Sequence, residues 1–127
     1  MEVVMDDPGQ GAVEAGDRRS IYETIMAITK GDGPASVLAQ AGEDFLFGEV
    51  WTRPGLSRRE RRLITLSCIV AVGASKPMAA HVAAALDTGD LSREELEETA
   101  LQCAAYLGWP LASSLDQAIR LHERGTS

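Results

Sequence analysis

Two serine-led helix starts, thirty-five residues apart, constrain the fold of this chain more than any other feature. Ser57-Arg58-Arg59-Glu60 and Ser92-Arg93-Glu94-Glu95 each place a hydroxyl at a helix edge and a glutamate three residues on. In such a capping box the serine takes one orphan amide of the first turn and the glutamate reaches back to another. Each serine stabilises its helix by about 1 kcal/mol. Gly89 and Gly108 stand where a left-handed C-terminal residue is needed, Pro110 suits a first helical position, and Pro54-Gly55 marks a tight turn. Helices are therefore expected at about 18–30, 35–50, 57–73, 77–87, 92–107 and 110–123. No strand alternation and no internal repeat interrupts them, so the expected fold is all-α, a compact bundle of about six helices. Residues 1–16 mix Gly, Asp, Glu and Pro without periodicity and read as a flexible tail, with a single helical domain over 17–127.

The helix faces say what is inside. On 92–107, Leu96, Ala100, Cys103, Ala104 and Leu107 recur at helical spacing, away from Glu94, Glu97, Glu98 and Gln102, so this helix is amphipathic and half exposed. The helix over 57–73 differs, because Leu63, Ile64, Leu66, Cys68, Ile69, Val70 and Val72 surround nearly the whole cylinder. Such a helix needs cover on every side, which in a short chain points to a homo-oligomer.

Charge and composition remove whole classes of function. The net charge is −7 and the arginines sit among acids, which argues against a nucleic acid or an anionic membrane as partner. The apolar run over 63–72 is too short to span a bilayer, and the N-terminus has neither the basic nor the apolar region of a secretory signal. The two cysteines, Cys68 and Cys103, match no metal or redox spacing; they read as reduced core thiols of a cytoplasmic protein.

A few residues carry chemistry. His81 lies in Met78-Ala79-Ala80-His81-Val82-Ala83-Ala84-Ala85, and a partly buried imidazole with a pKa near neutrality suits acid or base work. A core histidine satisfied by its neighbours is the competing reading. Arg53, Arg58, Arg59, Arg61 and Arg62 offer guanidinium forks for a carboxylate, or else form a solvated helix end paired with Glu60. Arg58 and Arg62, four apart, share a face. Trp51, Tyr106 and Trp109 either wall a pocket or plug the core, and His122 near the last helix end reads as structural.

The string Phe47-Gly48-Glu49-Val50-Trp51-Thr52-Arg53-Pro54-Gly55-Leu56, followed by Ser57-Arg58-Arg59-Glu60-Arg61-Arg62-Leu63-Ile64-Thr65-Leu66, then His81, Asp87-Thr88-Gly89, Glu94-Glu95-Leu96 and Tyr106-Leu107-Gly108-Trp109-Pro110, resembles the carboxymuconolactone decarboxylase family. The resemblance covers roughly half the chain and implies an alkylhydroperoxidase D-like helical fold assembled as trimers or hexamers. It also implies a cytoplasmic, cofactor-free decarboxylase acting on a small carboxylated lactone such as 4-carboxymuconolactone, within aromatic-compound breakdown. Loss of carbon dioxide leaves a dienolate that must be stabilised and protonated. By that resemblance His81, Glu60 and Arg62 are the candidate catalytic residues, with His81 the proton donor. Trp51, Arg53, Arg58, Asp87, Tyr106 and Trp109 are the candidate substrate contacts. Asp87-Thr88-Gly89 stands where the family usually has Asn-x-Gly. The related alkylhydroperoxidase D group carries a Cys-x-x-Cys pair where this chain reads Ala74-Ser75-Lys76-Pro77, which disfavours thiol-dependent peroxide reduction. A non-catalytic oligomeric binding or scaffold protein is the remaining alternative.

Overall fold

The computed structural model describes residues 15–126, and no strand occurs among them. The order is α1 (Ala15–Met26), α2 (Val37–Ala41) running directly into a π-helical segment (Gly42–Val50), α3 (Arg58–Val72), α4 (Ser75–Thr88), α5 (Arg93–Leu107) and α6 (Trp109–Thr126). Ala15 and Gly16, expected in the tail, belong to α1; residues 1–14 lie outside the described part. The first helix stops earlier than expected, because Ala27 turns to φ 56°.

Both capping boxes form. Ser57 Oγ accepts from Glu60 N at 3.0 Å while Glu60 Oε1 accepts from Ser57 N at 2.7 Å. At α5 the matching distances are 3.1 and 2.9 Å, between Ser92 and Glu95. Gly89 closes α4 in the left-handed region (φ 79°), a conformation that a Cβ would strain, whereas Gly108, expected to do the same for α5, takes a different positive-φ conformation (φ 99°, ψ 154°) because the chain turns at once into α6.

The expected second helix is the least regular element. Its Gly42–Val50 part is π-helical, with Trp51 N bonded five residues back to Leu46 O at 2.9 Å. The wider turn collects Glu43, Phe47, Gly48 and Trp51 on the buried side. A Cβ on Gly48 would lie 3.2 Å from Glu43 O and 3.4 Å from Arg18 Cγ, so glycine lets α1 cross this segment closely.

The core has two parts. The larger joins α3, α4, α5 and α6 through Leu66, Val70, Met78, Val82, Leu96, Leu115 and Ile119. The smaller joins α1, the π segment and α4 through Ile25, Met26, Phe47, Trp51 and Ala84. Helix α4 serves both, and its alanines allow that double contact. Helix α3 is not covered all round in the single chain: Ile64, Cys68 and Val72 are exposed. The two-thiol core expected from the sequence is thus half right, with Cys103 buried and Cys68 at the surface.

Candidate active site

Where the two cores meet, a fully buried cation lies beneath His81. Arg62, in the second turn of α3, is 0% exposed and sits one turn before Leu66 on the helix's buried face. Its Nη1 lies 3.0 Å from His81 Nδ1 and 3.6 Å from Met26 Sδ. Its Nη2 donates to the Ile25 carbonyl and, at 3.1 Å, to Asp90 Oδ2. Only Nε is left without a partner. Burial pulls this guanidinium's pKa down from its ordinary value, and the Asp90 carboxylate opposes the change.

That contact fixes the histidine's tautomer. A guanidinium has donors and no acceptor, so Nδ1 must accept and a neutral ring must carry its proton on Nε2. Nε2 makes no hydrogen bond among the described residues. Burial first, and the Arg62 charge second, push the imidazole's pKa down to about 4 rather than holding it near neutrality as the sequence suggested. His81 in the free protein is therefore an uncharged N–H donor at pH 7. Trp51 stacks on it with ring centres 5.8 Å apart and planes 19° apart, and the Arg62 Cζ lies 4.9 Å from the Trp51 ring centre. Phe47 continues the stack at 5.8 Å, and Tyr22 meets Phe47 edge-on at 4.9 Å.

One carboxylate binds the two arginines of the shared face. The Asp90 side chain is 7% exposed, and Arg58 Nε donates to both its oxygens, at 2.8 and 2.9 Å. Arg58 is 36% exposed, and its two terminal nitrogens make no hydrogen bond among the described residues. Behind the aromatic stack, Lys30 pairs with buried Glu43.

The remaining candidates lie apart from this cluster. Glu60 is spent on its capping box, where the Ser57 amide and hydroxyl hold its carboxyl below the ordinary range. Arg53 is exposed and is engaged through its backbone, its N–H donating to Val50 O at 3.2 Å and its carbonyl accepting from Arg61 Nη2 at 3.0 Å. Asp87 faces His122, with 3.5 Å between Oδ1 and Nε2, so the acid that reaches the arginines is Asp90. Tyr106 and Trp109 are 82% and 64% exposed, and neither joins the ring stack on His81. A separate open cavity of about 440 Å³ between α3 and α5 is lined by Leu63, Ser67, Thr99 and Cys103, and by none of the residues around His81. No group of His, Cys, Asp and Glu among the described residues is arranged to hold a metal ion.

The family model described as the carboxymuconolactone decarboxylase family matches residues 37–120, which include Trp51, Arg58, Arg62, His81 and Asp90. The chain belongs to that family. It is 37% identical over 70 residues to a 4-carboxymuconolactone decarboxylase of Acinetobacter baylyi, a stretch that covers 55% of this chain and 52% of that one. It is also 36% identical over 67 residues to a nitrosuccinic acid decarboxylase of Metarhizium robertsii, covering 53% and 46%. The chain thus spans about half the length of the curated relatives it matches. In this member of the family the cluster is buried Arg62, His81 and Trp51 with the largely covered carboxylate of Asp90. Asp90 and Met26 were absent from the sequence expectation. The signal that pointed to the acid was Arg62 itself, a cation on the same helix face as Leu66 and Ile69, which needs a buried counter-charge.

Proposed function

We propose that this protein is a cofactor-free decarboxylase of a small, multiply anionic acid, with a 4-carboxymuconolactone-like lactone as the leading candidate. The observation that carries the reading is the neutral imidazole of His81, held from behind by Arg62, with its Nε2–H unspent. Family membership and two relatives named as decarboxylases support the reaction type.

The chemistry follows from the groups in place. The substrate's C–C bond to the carboxylate breaks, carbon dioxide leaves, and the electron pair moves into the conjugated lactone, ending on its carbonyl oxygen. A preorganised N–H aimed at that oxygen stabilises the charge as it forms, in surroundings where water competes little. Protonation on carbon then needs an acid. An anion brought within about 4–6 Å raises a histidine pKa by about 1–3 units, which would lift His81 from about 4 toward the range where it can donate a proton near neutral pH. Arg62 has spent its terminal donors within the protein, so it acts as a fixed background charge. Arg58, with its terminal nitrogens free, is the better receptor for a second carboxylate. Trp51 walls the reaction from one side.

The nitrosuccinic acid relative favours a wider substrate class, in which a nitro group takes the place of the lactone carbonyl as electron sink. The residues would play the same parts.

The protein acts as a homo-oligomer in this reading. Ile64, Val72, Val37, Leu38, Phe45 and Leu101 are all exposed in the single chain, and a neighbouring subunit would give them cover. The test is carbon dioxide release from 4-carboxymuconolactone and from nitrosuccinate. Turnover that falls by about 10²–10⁴ in folded His81→Phe supports the assignment; equal turnover removes His81 from the chemistry. Release from neither acid favours a binding or scaffold role instead.

A further inference from the structure

We infer that Asp90 is a positioning residue that acts through Arg58, presenting that arginine's terminal nitrogens outward as a carboxylate receptor. The inference rests on the reading above that the site takes an anionic acid.

The first reason is which donor Asp90 uses. A carboxylate paired with arginine only for stability gains most from two parallel bonds to the guanidinium fork. Here both oxygens instead share the single Nε–H, at 2.8 and 2.9 Å. The four N–H groups on the terminal nitrogens are left over, in a planar fork matched to an incoming carboxylate.

The second reason is charge. Arg62 already gives Asp90 a counter-charge, at 3.1 Å. Arg58 therefore makes the cluster of Arg58, Arg62, Asp90 and neutral His81 net positive by one. A substrate carboxylate on Arg58 would bring that sum to zero.

The third reason is rigidity. Asp90 sits in the corner between α4 and α5, where its own N–H bonds to Thr88 Oγ1 at 3.2 Å and Thr88 Oγ1 donates to the Ala84 carbonyl. The next residue, Leu91, is buried and donates to the Ala85 carbonyl at 3.2 Å, and Ser92 opens the α5 capping box. The carboxylate is thus fixed from both sides of its backbone. That rigidity passes to the Arg58 side chain, which would otherwise sample many rotamers at the surface.

Succinate is a suitable probe, because its binding by calorimetry needs no turnover. The expected result is that Asp90→Asn and Arg58→Ala each weaken succinate about tenfold, as the loss of a charge-assisted contact does. The double variant should be no weaker than Arg58→Ala, and Asp90→Glu should recover part of the loss. In the free wild-type protein the Arg58 Nε–H resonance should be sharp and protected from exchange, and Asp90→Asn should abolish it. If Asp90→Asn unfolds, Asp90→Glu and the wild-type resonance carry the test. Losses that multiply in the double variant would overturn the inference, as would a wild-type Nε–H exchanging like that of free arginine, or a wild type that binds no succinate. Coupled succinate binding without any decarboxylation would instead keep Asp90's role and remove the proposed reaction.

Discussion

Replacing His81 with Gln should remove a specific part of the protein's acid sensitivity. The imidazole titrates at about 4 in the folded protein and at about 6.5 in an unfolded chain. Between those values the unfolded state binds a proton that the folded state refuses, so stability must fall as pH falls. His81's contribution is fully present above about pH 6.5 and is lost progressively as pH drops to about 4. At roughly 1.4 kcal/mol for each tenfold change in proton affinity, the loss is about 3 kcal/mol, a large share of the 5–15 kcal/mol typical of a domain. Gln does not titrate, yet its side-chain oxygen can still accept from Arg62. Urea unfolding at about pH 7.5 and at about pH 4 gives the comparison. With a slope near 2 kcal/mol/M, the wild-type midpoint should drop by about 1.5 M more than that of His81→Gln. Other carboxyls titrate in both proteins and cancel in the difference. Equal drops, or an NMR titration placing His81 at or above 6.5, would mean that burial and Arg62 do not hold the imidazole neutral.

Other outcomes follow from the same contacts. Arg62→Met should destabilise by about 3–5 kcal/mol, because Ile25 O and His81 Nδ1 lose their donor inside the protein; thermal unfolding reads this directly. In the same variant His81's pKa should rise but stay below 6.5, since burial, its larger cause, remains. Ser57→Ala should cost about 1 kcal/mol and let the Glu60 carboxyl return toward its ordinary pKa, which carboxyl NMR would show. Light scattering should give a mass several times 13.6 kDa, and Ile64→Glu or Val72→Asp should reduce it.

What could be read from the sequence divides along physical lines. Capping boxes, the closing glycine of α4 and the amphipathic face of α5 are written in residues three or four apart, so local spacing reveals them. The π-helical turn over Gly42–Val50 is set by how Phe47 and Trp51 pack against α1, and no local pattern announces it. His81, Trp51, Arg58 and Arg62 all stand among the candidates that the sequence offers, and the fold gathers the four into one cluster. Asp90 was missed because its partners are 28 and 32 residues away in sequence. Asp87, three residues earlier, stands at the position where the family usually has Asn, but it faces His122 on α6. Cys68 was misplaced for a related reason: an apolar helix face shows which side needs cover, not whether the same chain provides it. Tyr106 and Trp109 lie at the α5–α6 corner, where aromatic type alone does not separate a core plug from an exposed ring.

The most direct measurement is carbon dioxide released from 4-carboxymuconolactone by the wild-type protein and by its folded His81→Phe and Arg58→Ala variants. The expected result is turnover by wild type, a loss of about 10²–10⁴ in kcat for His81→Phe, and a raised KM for Arg58→Ala. Turnover in His81→Phe equal to wild type would contradict it.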